Sequence, residues 1–518
     1  MPYGRTAPSC AHPRLNTKSY NPPTHGDARH AHLPPGGDMT RLKDSGPHTG
    51  ARKPTARSWL DRFFFVSERG STFGREVRGG LTTFMAMAYI IVLNPIILSG
   101  VSDVNGDVLS AGQLTTMTAL SAGLVTIMMG VVGRAPIACA AALGVMAVVA
   151  YQAAPVMAWP EVMGLVVWQG VAIILMVVTG VRTAVMNALP HDLKMAIGVG
   201  IGLFVALIGL DNAGFVSAGE GGGLLQIGAA GAGGHLDGWP ILVFVCGLVL
   251  ASVLLVRGVP GAIFYGIVGA TVLAIAVHYA AGLDSRDWGG ASPELPGNPF
   301  AAPDFGLLLR VDMFGAWTSA GATTAGVILF TLVLAGFFDA LGTILAIGTK
   351  ADIADADGHM PRVNQILVTD GAGAVAGGLT SSSATLVFVE STAGVSEGAR
   401  TGLASVVTGL FFLAAIFLAP VFGVVPAQAA AVAMVLVGAM MMMHIREIDW
   451  SDVAVAIPAF LTIAMMPFTF DIASGIGIGI ISYTLVRSAQ GRVRDVGWLM
   501  WALSAVFAFH FSMHALGL

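Results

Sequence analysis

The chain has 518 residues, 55% apolar and 11% charged, with a mean hydropathy of +0.77. That length would divide into about three or four soluble domains, but the composition is that of a polytopic membrane protein. Lys+Arg 26 against Asp+Glu 30 leaves a formal net charge of -4, too sparse for the basic groove that nucleic acid needs, and nucleic-acid binding is excluded. Cys10, Cys139 and Cys246 stand far apart without a CxxC pair, so neither a disulfide framework nor a metal site is indicated, and no cofactor is expected.

In chain order, residues 1–57 are rich in Pro, Gly, His and Arg and hold no apolar run able to bury a face, which reads as a disordered tail without a signal peptide. His25, His30 and His32 there reflect composition rather than ligation. Apolar runs near the spanning length of roughly 20 residues then follow one another. They lie near 77–99, 112–132, 136–152, 160–182, 189–210, 240–257 and 260–281. A polar, Pro-rich break at 282–320 separates them from a second set near 321–348, 363–380, 384–398, 400–422, 427–444, 453–487 and 496–515. Residues 58–281 and 321–518 thus read as two repeats of seven segments joined by an extracytoplasmic linker. The stretch 453–487 contains Pro458 and Pro467 and is one broken crossing or two short ones, so the total is about fourteen segments.

Loop charges set the orientation, because Lys and Arg accumulate on the cytoplasmic side. Arg69, Arg75 and Arg78 precede the first segment, and Arg134, Arg182 with Lys194, and Arg257 fall in alternate loops, whereas loops 100–111 and 211–238 contain neither residue type. The N-terminus is therefore expected in the cytoplasm. Continued alternation at Lys350, Arg362, Arg400 and Arg446 requires an odd number of segments per half, hence an inverted repeat. The third segment of each half, PIACAAALGVMAVVAYQ (136–152) and SSSATLVFVESTAGVSE (381–397), looks too short or too broken for a plain helix. Paired interrupted segments at matching positions point to a solute site between them.

Ionisable residues inside a span cost about 2.5–3.5 kcal/mol each at a helix centre and need a reason. Asp339 in VLAGFFDALGTILAIG and Glu390 in TLVFVESTAGVSEG have no Lys or Arg within a helical turn. Either they are protonated or hydrogen-bonded packing groups, or they face a cavity, accept hydrogen bonds from a polar solute and take up a proton. The second reading is preferred. Glu397 and Arg400 are explained by a local ion pair, Asp370 by capping, and His510 and His514 by the interface. GVGIG (198–202) and GIGIG (475–479) lack the strand and acidic residue of a dinucleotide loop and fit close helix packing instead. No hydrolase or P-loop string is present, which speaks against an enzyme or an ATP-driven pump.

Five strings carry a resemblance: GGLTTFMAMAYIIVLNP (79–95), ALPHDLKMAIGVGIGLFVALIGLDNAG (188–214), FFDALGT (337–343), VESTAGVSEGARTGL (389–403) and IDWSDVAVAIPAFLTIAMMPFTF (448–470). Over residues 58–515 the chain resembles the nucleobase permeases of the xanthine/uracil/ascorbate superfamily, in their AzgA-like adenine/guanine/hypoxanthine branch. The resemblance implies an all-α membrane protein of fourteen segments in two inverted halves. A core domain of segments one to four and eight to eleven moves against a gate domain, and short extended stretches lie in the third and tenth segments. It further implies secondary transport of a purine with protons in the cell membrane, possession of a bilayer and a small nucleobase as its partners, and a homodimer. Asp339 and Glu390 fall on the family's acidic positions and are expected to contact the base and couple the proton. Phe338 or Phe388 would meet its face, and backbone N–H groups near Gly144 and Thr385 would complete the site.

Four positions depart from the family pattern. AAALGVMA (140–147) stands where APGMGLNA is usual, so Met146 replaces an Asn expected at the base; Leu386 and Val387 replace polar residues; Gly336 replaces an Asp. Each change removes hydrogen-bonding capacity from a pocket that discriminates largely by such bonds. A permease of altered specificity, for another heterocycle or an organic anion, is the alternative; a receptor or membrane enzyme is the more remote one.

Overall fold

A backbone crossing hydrocarbon must satisfy its own N–H and C=O groups, so segments this apolar are helical unless buried protein supplies other partners. The computed structural model describes residues 58–180, 189–219, 225–230, 234–284, 288, 292–353 and 360–516. The expected tail, 1–57, lies outside the described residues. Nine described helices are long and apolar enough to cross a membrane, as a multi-pass protein requires.

After a short helix α1 (Trp59–Phe64), the first half comprises α2 (Phe73–Met87), α3 (Ile90–Ser99), α4 (Ala111–Met128), strand β1 (Cys139–Ala141), α5 (Leu143–Val148), α6 (Trp159–Val178), α7 (His191–Asn212), the hairpin β2 (Val216–Ala218) and β3 (Leu225–Ile227), α8 (Trp239–Val256) and α9 (Ala262–Ala281). The second half follows a short α10 (Gly315–Ser319). It comprises α11 (Ala322–Lys350), α12 (Val363–Leu379), strand β4 (Thr385–Val387), α13 (Ser391–Ser396), α14 (Gly402–Ala415), α15 (Ala427–Met441), α16 (Val453–Thr469), α17 (Ile472–Ala489) and α18 (Trp498–Leu516).

Two bundles result, and their contacts repeat with exchanged halves. In one bundle α14 packs on α4 and α2, as α6 packs on α12 and α11. In the other, α15 packs on α7; α8 and α9 pack on α15, as α16 and α17 pack on α7. The helix pairs approach through glycine. A Cβ on Gly170 would lie 2.6 Å from Val375 N, and one on Gly130 3.0 Å from Val406 Cγ2, so any side chain there would push the helices apart. The linker between the halves is fastened to the first bundle: Leu309 N–H donates to Leu379 O (2.7 Å), Asp312 N–H to Pro160 O (2.8 Å) and Trp168 Nε1 to Met313 O (2.8 Å).

Residues 453–487 prove to be two helices. Phe470 ends α16 in the left-handed region at φ 56°, and Asp471 caps α17 by accepting from Ala473 N (3.0 Å) and Ser474 N (3.1 Å). Arg487 meets Asp452 at 3.1 Å, tying the far end of α17 to the start of α16. In this region α17 packs on α16 as α9 packs on α8, and α18 packs on α17. Hydropathy hid the break because a two-residue turn barely lowers a window average.

Candidate functional site

The two interrupted segments meet as an antiparallel pair in the middle of the first bundle, with register Cys139↔Val387, Ala140↔Leu386 and Ala141↔Thr385. Arg134 (φ 51°) ends the helical path before β1, and Ser381 (φ 53°) and Ser383 (φ 66°) do so before β4. Each strand has one edge facing away from the other, and a helix of its own half satisfies it. Thr126 Oγ1 on α4 accepts from Cys139 N (2.9 Å) and donates to Cys139 O (3.0 Å). Asp370 Oδ1 on α12 accepts from Val387 N (2.9 Å). Past the strands, Ala142 N–H donates to Ala384 O and Phe388 N–H to Ala138 O, both at 3.0 Å. Ala138 N–H in turn donates to Ser391 Oγ (3.0 Å). Extended backbone at this depth is tolerated because its polar groups find partners within the protein.

Where each strand ends a helix begins, and between those beginnings lies a cavity of about 90 Å³. A single water needs roughly 10–15 Å³ of such space, so several waters or a small solute fit. Leu143, Gly144 and Val145 at the start of α5, Val387 at the end of β4, and Phe388, Val389 and Glu390 after it form one side of its wall. Tyr89, Ala335 and Thr343 come from the same bundle, while Ile201 of α7 and Val437 and Met441 of α15 close it from the other. The cavity thus lies on the boundary between the bundles. Its polar side chains, among the described residues, are Glu390, Tyr89 and Thr343, and Tyr89 donates its hydroxyl to Glu390 Oε1 at 2.6 Å.

Of the residues singled out from sequence, Gly144, Phe388 and Glu390 line this space. The side chains of Phe338 and Asp339 lie outside the described residues. Position 339 is four residues from both Ala335 and Thr343 on α11, a spacing that puts all three on one helix face. Met146 and Thr385 do not line the cavity; both are fully buried. Met146 comes after the first turn of α5 and joins the hydrophobic core, so the wall at this level is Val145. Thr385 is committed to the ladder opposite Ala141. Leu386 is also buried, and a Cβ on Gly336 would stand 2.8 Å from Leu386 Cδ1 and 2.6 Å from Gln169 Nε2. Two of the departures are therefore one packing unit, with a large apolar residue occupying the space beside a glycine. Sequence reasoning missed Tyr89, whose signal was one hydroxyl-bearing aromatic in the apolar run AMAYIIVLNP.

Comparison with known proteins places these features in a wider set. The pattern of a permease family matches residues 74–478. The chain is 34% identical to the guanine/hypoxanthine permease PbuG of Bacillus subtilis over 459 residues, 87% of this chain and 99% of that one. It is 34% identical to the adenine permease AdeP of Escherichia coli over 452 residues, 87% of this chain and 95% of that one. Among solved structures, the transmembrane domain of the bicarbonate transporter BicA from a cyanobacterium superposes with a TM-score of 0.55 at 18% identity, covering 80% of this chain and 97% of that one. At that identity the likeness speaks for the fold alone.

Proposed function

Because the chain belongs to the permease family, a family of transporters rather than enzymes, we propose that it is a secondary transporter importing a purine nucleobase with protons by alternating access. The observation that carries this reading is an acidic residue, Glu390, in a cavity walled by both bundles at the meeting point of two interrupted segments. Relatives named for guanine, hypoxanthine and adenine support the substrate class. A purine offers ring N–H donors and a flat apolar face. In this reading Glu390 and Asp339 accept from the N–H edge, one of them taking up a proton, while Phe388 and Phe338 meet the face. Backbone N–H groups near Gly144, at the start of α5, serve the acceptor edge. A wall shared between bundles is what relative motion of the two would open to one side and then the other. The Lys and Arg distribution supports a cytoplasmic N-terminus.

One observation favours a second reading, altered specificity. Around Glu390 the wall is Leu143, Val145, Val387 and Val389, which provides few side-chain donors to a heterocycle rich in acceptors. Initial uptake of radiolabelled adenine, guanine and hypoxanthine into proteoliposomes, with an imposed pH gradient and with a protonophore, tests both. Saturable uptake that collapses with the protonophore and in Asp339→Asn and Glu390→Gln is expected. Uptake untouched by either substitution removes the site assignment, and no purine uptake at all favours the second reading.

A further inference from the structure

Tyr89 sits where the first crossing tightens. Between α2 and α3, Ile91 N–H donates to Ala88 O (3.2 Å) and Val92 N–H to Tyr89 O (3.1 Å), bonds spanning three residues rather than four, upstream of Pro95. A tightened turn inside a helix changes where its side chains point. Here it accompanies a ring 1% exposed whose hydroxyl reaches a residue 301 positions away, Glu390, at 2.6 Å. That distance lies within the range of O–H···O hydrogen bonds, roughly 2.5–3.0 Å.

The geometry points to Tyr89 as the positioning residue of the site: its phenol donates to one oxygen of Glu390 and fixes how that carboxyl is presented to the substrate. The inference rests on Glu390 contacting the substrate as proposed above. The two groups stand on different elements, Tyr89 at the junction of α2 and α3 and Glu390 just before α13, so the bond sets the carboxyl's direction from outside its own segment. Without the hydroxyl the carboxyl keeps its place in the chain and loses that orientation, which weakens a substrate bond that depends on it.

The test is radiolabelled hypoxanthine and adenine uptake by the full-length reconstituted protein, with purine-induced thermal stabilisation of the purified protein as a second readout. In Tyr89→Phe the KM for both purines should rise about tenfold with kcat changed far less, the size expected for loss of one positioned bond to a buried polar group. The purine-induced rise in thermal midpoint should shrink while the midpoint without purine stays near the parent's. A Tyr89→Phe variant whose KM and purine-induced stabilisation match the parent's overturns the inference, and so does one in which kcat falls with KM unchanged. A variant that no longer folds marks Tyr89 as a packing residue and overturns it too. Glu390→Gln with unaltered purine uptake instead removes the parent reading of the site.

Discussion

Asp370 offers a sharp test of how the interrupted segments are held. Its side chain is fully buried, and Oδ1 accepts the outward N–H of Val387 at 2.9 Å. In the other half Thr126 does the same for Cys139, the residue paired with Val387, and also donates to the Cys139 carbonyl. An uncharged hydroxyl therefore suffices to satisfy one strand edge, and a charge at position 370 is not required for that task. Asp370→Ala leaves the Val387 N–H without its acceptor, at a cost of about 1–3 kcal/mol. Asp370→Asn keeps an acceptor oxygen and adds donors, as at Thr126, and should change stability by less than about 1 kcal/mol. With unfolding entropy growing with chain length, about 1–2 °C of midpoint corresponds to each kcal/mol here. The expectation is then a fall of about 1–6 °C for Ala and less than about 2 °C for Asn. Thermal denaturation in detergent at one fixed scan rate measures it, because unfolding of such proteins is commonly irreversible and only rate-matched midpoints compare. Equal falls in both variants would refute the argument from backbone satisfaction, and would mean that the carboxylate itself is needed.

Three further outcomes follow from the same geometry. Gly336→Ala should lower stability by about 1–3 kcal/mol through overpacking against Leu386 and Gln169, with Leu386→Ala in the same chain recovering part of the loss; thermal midpoints of the double-mutant cycle check it. Arg69 donates to the carbonyls of Arg134 (2.7 Å) and Arg400 (3.0 Å), so Arg69→Ala should cost about 1–3 kcal/mol and increase hydrogen exchange in the 132–136 and 398–402 turns. Asp312 accepts from Phe314 N (3.0 Å) and Gly315 N (2.9 Å), and these bonds hold its carboxyl below the usual value of 3.8. A depressed carboxyl stabilises the turn above that usual value and loses the effect as pH falls through its own lower one. Exchange protection at 314–315 should therefore be constant from neutral pH to near 4 and fall below it, whereas Asp312→Asn should be flat across that window.

The membrane class, the helical segments, the matched interruptions and the acidic residue of the tenth segment were legible in the sequence. Each rests on a local signal: a hydropathy run, a shortened run, or a charge where none is tolerated. What was not legible depended on partners distant in the chain. The partner of Glu390 is 301 residues away, and nothing near Tyr89 announces it. Met146 was expected at the solute because a motif position suggests it, yet α5 starts at Leu143 and only its first turn reaches the cavity. Asp370 looked like a helix cap because it stands early in an apolar run, whereas its acceptor role serves a strand seventeen residues on. The hairpin at Phe470 and Asp471 was half visible, in Pro467 and the lone Asp, but an averaged window cannot resolve a two-residue reversal.

The departures from the purine-permease pattern take on a different meaning once packing is considered. Leu386 and Gln169 both lie against Gly336, and Met146 is in the core. Changes there alter what the wall leans on more than what a solute touches. Among the described residues, the polar side chains that line the chamber are Glu390, Tyr89 and Thr343. A site built this way gains its selectivity from a few bonds, each of which costs roughly 1–3 kcal/mol when a ligand leaves it unmatched in a buried setting. Thr343→Val keeps the shape and deletes one hydroxyl. It should therefore reduce discrimination among hypoxanthine, guanine and adenine by about tenfold in competition assays, with fold and expression preserved. Discrimination unchanged in Thr343→Val would mean that the solute is read by backbone groups and shape, and not by the side chains on this face.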